Sequence, residues 1–242
     1  MRLHRKSLEK VMIDTEPRFS LLPKSLDAVL GRLLIPCQIS LLHGPTRAPL
    51  TALAHLATVC AAKGEGQRSV YLHSGNNYSP TLARSLCGRS QDPSAVLQRI
   101  VVGKVLSLSD IEQELSQIDD LGHVQLVVID SLTSVLDLSE NAASAGRQRK
   151  LFHALEMLRN FVNRSTAHLM MTDHSSPDWG SGEATPIGGN VVAHNVDSVV
   201  RVQKLDIVSD ELVSLLVERC PLPEPPRGVV VRMSPKNISS IK

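Results

Sequence analysis

The chain has 242 residues, a formal net charge of +2 at pH 7, 42% apolar residues and only 2% aromatic ones. That length accommodates one large α/β domain, with a core of Leu, Val, Ile and Ala because rings are scarce. The near-neutral charge excludes a global field for nucleic acid or membrane, and no apolar stretch approaches the ~18 residues a membrane span needs.

Cys37, Cys60, Cys87 and Cys220 form no C-x-x-C pair and show no metal-ligand spacing. They read as small core residues of a reduced, intracellular protein. The opening MRLHRKSLEK is basic but no apolar run follows it, so it is not a signal peptide.

In chain order, Ser25 to Leu30 reads as a short helix and Cys37 to His43 as a buried strand. Leu50 to Ala62 carries small apolar residues at helical spacing, and Ser69 to His73 is a second strand. Ser79-Pro80 opens a helix, because serine caps and proline at the first helical position loses no bond. Ile100 to Val102 is a strand, and Ser109-Asp110-Ile111-Glu112 reads as a capping box for a helix to about Leu121. Val124 to Ile129 is the most strand-like segment. Leu151, Leu155, Leu158 and Val162 mark one face of a long helix, and Ala167 to Thr172 is another strand. After residue 190 helical signals stop, and Ser198 to Val202, Leu212 to Val217 and Val229 to Met233 read as strands.

Strands alternating with helices predict a mostly parallel sheet flanked by helices, and the closing strands an antiparallel extension. The expected organisation is a basic segment over residues 1–18 followed by one domain over residues 19–242.

The strand ending at His43 runs into Gly44-Pro45-Thr46-Arg47-Ala48-Pro49-Leu50-Thr51. The phosphate-binding pattern is G-x-x-x-x-G-K-[ST], whose backbone N–H groups cradle phosphates at a helix N-terminus. The first glycine and the final threonine are present, but Pro49 replaces the second glycine and Leu50 the lysine. The strand VQLVVID ends at Asp130, where a magnesium-directing carboxylate would emerge.

Several segments in one order resemble the RecA/RadA recombinase superfamily. Leu126 to Asp137 (LVVIDSLTSVLD) resembles its Walker B strand and turn, and Gly146 to Phe161 the helix that follows. Pro186 to Lys204 (PIGGNVVAHNVDSVVRVQK) is the most specific block, similar to the segment after the second DNA-binding loop of RadA-type recombinases. Glu218 to Val231 resembles their final hairpin, and Leu22 to Gly31 the lead-in to their ATPase core. The resemblance implies a RecA-like core without the family's N-terminal helical domain and polymerisation linker.

The departures fall on the chemistry. Pro49 has no N–H to give, Leu50 brings no charge, and Gly75 stands where the family's water-polarising glutamate falls. Asp173-His174 replaces its Asn-Gln sensor. A degenerate site, a pseudo-ATPase without bound cofactor or metal, is expected; Gly44, Arg47, Thr51 and Asp130 are its vestige. Thr51 is either a magnesium ligand or an ordinary first-turn helix residue. Asp130 either directs magnesium or bonds Thr51 or a loop N–H. Arg47 either replaces the lysine or is solvated.

For DNA, the first family loop falls in Leu138 to Arg149, where Arg147 and Arg149 serve as phosphate contacts or as a solvated helix face. The second, Ser175 to Pro186, holds Asp178, Glu183 and the sole tryptophan, Trp179, but no Lys or Arg. Trp179 is therefore a candidate contact for a partner protein. Gly188, Gly189 and Asn190 match the family's loop-closing turn near DNA. Basic residues gather at the ends instead, in Arg2, Arg5, Lys6 and Lys10 and in Arg227, Arg232, Lys236 and Lys242.

The resemblance implies a non-catalytic recombinase paralogue, nuclear in a eukaryote and cytoplasmic in an archaeon. It would form a hetero-oligomer with a recombinase or another paralogue and touch single-stranded DNA weakly or within that complex. The alternatives are a divergent active DNA-dependent ATPase and a RecA-like regulator outside recombination.

Overall fold

The computed structural model describes residues 16–88, 92–135, 145–177, 184–186, 189–205, 211–234 and 237–241. A short helix α1 (Lys24–Asp27) leads into strand β1 (Ile39–Gly44), helix α2 (Arg47–Ala61) and strand β2 (Arg68–His73). Helices α3 (Pro80–Leu86) and α4 (Pro93–Leu97), strand β3 (Ile100–Lys104), helix α5 (Leu108–Gln117) and strand β4 (Val124–Asp130) follow. Next come α6 (Leu132–Val135), α7 (Ala145–Arg164), β5 (His168–Pro177), β6 (Ala184–Pro186) and α8 (Gly189–Asn195). Strands β7 (Ser198–Lys204), β8 (Leu212–Arg219), β9 (Gly228–Ser234) and β10 (Asn237–Ser240) close the chain.

The sheet runs β10-β9-β8-β7-β1-β5-β4-β2-β3. Strands β7 to β3 pair in parallel, β7 to β10 antiparallel, and β6 pairs antiparallel with β5. The fold is the expected α/β class. Its central strands are apolar on both faces because helices cover both. Leu42, Tyr71, Val128 and Met170 pack with Leu53, Ala57 and Cys60 of α2. Leu41, Val127, Ile129 and Met171 pack with Ile111 and Leu115 of α5 and Leu151, Leu155, Leu158 and Val162 of α7.

Local chemistry sets several boundaries. Ser79 caps α3 by accepting from the Leu82 N–H at 3.2 Å, with Pro80 at the first helical position. The capping box of α5 lies two residues earlier than the sequence suggests. Ser107 and Asp110 exchange the reciprocal bonds, because Asp110 reaches back to the N–H groups of Leu106 and Ser107. Residues 189–195 are helical, contrary to the reading that helical signals end at 190; Val192 and Val196 bury against the α7 face and override weak local propensity. The four cysteines are free thiols, with Cys60 and Cys87 buried. No described helix is long and apolar enough to cross a membrane.

His168 opens β5 fully buried, and its Nδ1–H donates to the Ile35 carbonyl at 2.7 Å. Burial outweighs that bond and the charge of Asp197 and lowers its pKa from 6.5 to about 4. The unfolded chain therefore binds a proton between those values that the folded chain refuses. This contribution is complete above about pH 6.5 and is lost as pH falls toward 4, a difference of roughly 3 kcal/mol. Denaturant unfolding across that window should show a steeper loss in the wild-type chain than in His168→Gln. Identical slopes would remove His168 as the source.

Candidate functional site

The C-terminal ends of β1, β4, β5 and β2 lie side by side, and ligands of open α/β sheets bind at such an edge. The connection from β1 to α2 is only Pro45-Thr46, with Thr46 as an extended N-cap. Helix α2 therefore begins inside the phosphate-loop pattern, and Thr51 is its fifth residue instead of a first-turn residue. The cause is local. The first four N–H groups of a helix have no intrahelical partner, so Pro49 at the third position costs no bond. No glycine holds the segment open. Leu50 is 2% exposed and packs in the core instead of facing a phosphate.

Asp130 is 4% exposed and its carboxylate accepts three hydroxyls. Tyr71 donates to Oδ2 at 2.6 Å, Thr51 to Oδ2 at 3.0 Å and Thr172 to Oδ1 at 2.6 Å. The Asp130 carbonyl accepts from the Ser74 N–H at 3.1 Å and from Asn77 Nδ2 at 3.1 Å. Of the two readings of Asp130, the bond to Thr51 is present. Burial and then the adjacent Asp130 charge push the Tyr71 phenol well above its ordinary pKa, so it stays a donor. His55 supports this group from α2: its Nδ1–H donates to the Thr51 carbonyl at 2.8 Å and its Nε2 accepts from the Ser79 N–H at 2.9 Å. Its ring lies 4.8 Å from that of Tyr71 and 5.2 Å from that of Tyr78.

The space left beside Asp130 is about 10 Å³, lined by Arg47, Leu50, Asn77, Ser131, Thr172, Asp173 and His174. That is room for about one water. Arg47 lines its rim. Asp173 is 2% exposed and accepts from the Thr133 hydroxyl, adding a second buried carboxylate to the same edge. A groove of about 450 Å³ lies open on the far side of Pro49, against Ala52, Leu82, Val213 and Met233.

The retained glycine has a packing role. A Cβ on Gly44 would stand 2.1 Å from the Val202 carbonyl oxygen of the neighbouring strand β7. Gly75 is different, since a Cβ there would meet only Asn77 Oδ1 at 3.4 Å, an ordinary contact.

A polar chain that sequence reasoning missed crosses the same edge. His43 is fully buried; its Nε2–H donates to Glu218 Oε2 at 2.9 Å and its Nδ1 meets Ser175 Oγ at 2.8 Å. Arg201 Nε lies 3.3 Å from Glu218 Oε1. Burial alone would raise the Glu218 pKa, but the bond and attraction of His43, then Arg201, hold it below the ordinary range. The available signal was a histidine in a largely apolar strand, directly before Gly44.

Among the described residues, the DNA candidates Arg149, Gly189 and Asn190 do not line the Asp130 space. Arg149 is exposed on α7, which takes up residues 145–149 of the expected first loop. Gly189 and Asn190 begin α8 instead of closing a turn. Trp179, Gly188, the Arg147 side chain, Arg2, Arg5, Lys6, Lys10, Lys236 and Lys242 lie outside the described residues. Arg227 and Arg232 are exposed. No group of three or more His, Cys, Asp or Glu side chains among the described residues is placed to hold a metal ion.

The sequence profile of the Rad51 family matches residues 18–226. The DNA repair and recombination protein RadB of two strains of Halobacterium salinarum is 23% identical over 185 residues, covering 74% of this chain and 78% of RadB. A crystal structure of the RadB recombinase superposes with a TM-score of 0.73 at 18% identity, covering 90% of this chain and 97% of that one.

Three substitutions test the site as architecture. Asp130→Ala strands three inward hydroxyls and should cost on the order of 3 kcal/mol without nucleotide or magnesium present, with Tyr71→Phe costing about 1–2 kcal/mol. Gly44→Ala drives a methyl into a strand carbonyl and should cost about 1–3 kcal/mol. Urea unfolding measures all three, and wild-type midpoints would contradict these roles.

Proposed function

The chain belongs to the Rad51 family, and on that premise we propose that it is a non-catalytic accessory subunit of DNA repair and recombination. It acts by assembling with a recombinase or another paralogue. The names of the RadB relatives support the process. The observation that carries the non-catalytic half is the Asp130 group. The carboxylate that would direct magnesium is engaged by Tyr71 and Thr172, beside a space of about 10 Å³.

Hydrolysis needs charge compensation on the β- and γ-phosphates and an oriented water. Leu50 cannot supply the first and Gly75 cannot supply the second. An active but divergent ATPase keeps one supporting feature, the Thr51–Asp130 pair. A regulator outside recombination is opposed by the Pro186 to Lys204 block. On this proposal the subunit primes or ends a filament, with Trp179 a contact to the partner.

Steady-state ATP hydrolysis, with and without single-stranded DNA, should not exceed that of Asp130→Ala; turnover lost on that substitution would establish the active reading. Pro49→Gly with Leu50→Lys should recover nucleotide binding in a calorimetric titration but no turnover, and turnover in this double variant would reveal another base. DNA binding by the chain alone should be weak and disappear by about 0.3 M salt; tight binding at that salt would rule out an electrostatic origin. Trp179→Ala should weaken co-purification of the recombinase or paralogue while leaving the fold intact.

A further inference from the structure

On the side of the sheet that carries α7, the helical layer stops at β7. There Val192 of α8 and Val196 share a core with Val199 of β7. Among the described residues, β8, β9 and β10 contribute none to that core. Their inward residues, Val213, Leu215, Val231, Met233 and Ile238, belong to the core on the opposite side. Successive strand residues face opposite sides, so Leu212, Leu216, Val230 and Arg232 share the uncovered face. The three apolar ones belong to neither core. Leu216 is 41% exposed, and Ile241, just past β10, is 43% exposed. An antiparallel sheet presents polar side chains where water covers it. This face instead presents leucine and valine, with Ser214 and Ser239 between them.

The charges of this face are unequal. Arg201 and Arg232 lie on it. An irregularity in β8, where Val217 pairs with Val200 and Arg219 with Val199, adds Glu218 and Arg219. Among the described residues of β7 to β10, that face therefore carries three cations to one acid. The acid, Glu218, is already shared by His43 and Arg201. Arg219 donates to the Val196 carbonyl, so a cation marks the border with α8.

Dimensions select the occupant. From β7 to β10 is three strand spacings, about 14 Å, and an α-helix with its side chains is about 10–12 Å across. One helix fits beside α8 and continues the layer. A second copy stacked face to face on these strands, each about 27 Å long, would bury roughly 800 Å² in total. That is half of the about 1,600 Å² typical of a specific dimer. A helix meets the sheet and the flank of α8 together. We infer that this face docks an amphipathic helix of a partner protein, its apolar stripe on Leu212, Leu216 and Val230 and its acidic residues toward Arg219 and Arg232. The docking depends neither on the fate of the nucleotide site nor on the partner being a recombinase.

The test puts photoreactive benzoylphenylalanine in place of Leu216, or in a second variant of Ile241, in the full chain and irradiates it in cells. Mass spectrometry of the joined peptides should find a segment of another protein with apolar residues at helical spacing, flanked by Asp or Glu. Arg232→Glu and, separately, Gln203→Glu, both exposed positions, should lower its yield at least five-fold while the urea midpoint holds. A product of twice the chain's mass, joined to a peptide of this same chain, would assign the face to a second copy. A basic or non-helical partner segment, no joined peptide from either position, or a yield that neither charge change lowers would leave the face without such a helix. Each of these results overturns the docking.

Discussion

A buried carboxylate must be hydrogen-bonded or it is lost to protonation or unfolding. Asp130 meets that demand with three hydroxyls drawn from three different elements. Thr51 comes from α2, Tyr71 from β2 and Thr172 from β5, while Asp130 itself ends β4. One side chain therefore fixes the helix after the first strand against three neighbouring strand ends. His55 extends the hold from α2 to the start of α3.

The same arrangement sets the shape of the edge. A phosphate loop keeps its N–H groups free by staying unwound; here α2 winds from Arg47, and the side chain in the lysine place packs inward. Leu50 is buried there, and the room beside Asp130 is about a water's volume. Packing requires Gly44, through the approach of the Val202 carbonyl.

The edge also shows how charge is contained in a chain with few polar core positions. His43, Ser175, Glu218 and Arg201 form a continuous chain from the sheet centre to its half-exposed side. Ser175 stands where β5 leaves its parallel partner β1 and begins pairing with β6. The bond from His43 thus anchors β5 at the point where it changes partners.

Composition and periodicity were enough for the α/β class, the central strands and the buried face of α7, because two-sided burial demands uninterrupted apolar runs and one-sided burial a helical stripe. The sequence also marked Pro49, Leu50 and Gly75 as departures from the family pattern, since a residue type alone decides whether an N–H, a cation or a carboxylate exists. Tertiary structure decided the rest. That α2 starts at Arg47, that α8 is helical and that Asp130 takes Tyr71 and Thr172 as partners depend on side chains distant in sequence. Local propensity is worth only tenths of a kcal/mol per residue. Burying Leu50 or satisfying a carboxylate is worth more than about 1 kcal/mol each, and neither stabilisation exists until the strands are side by side.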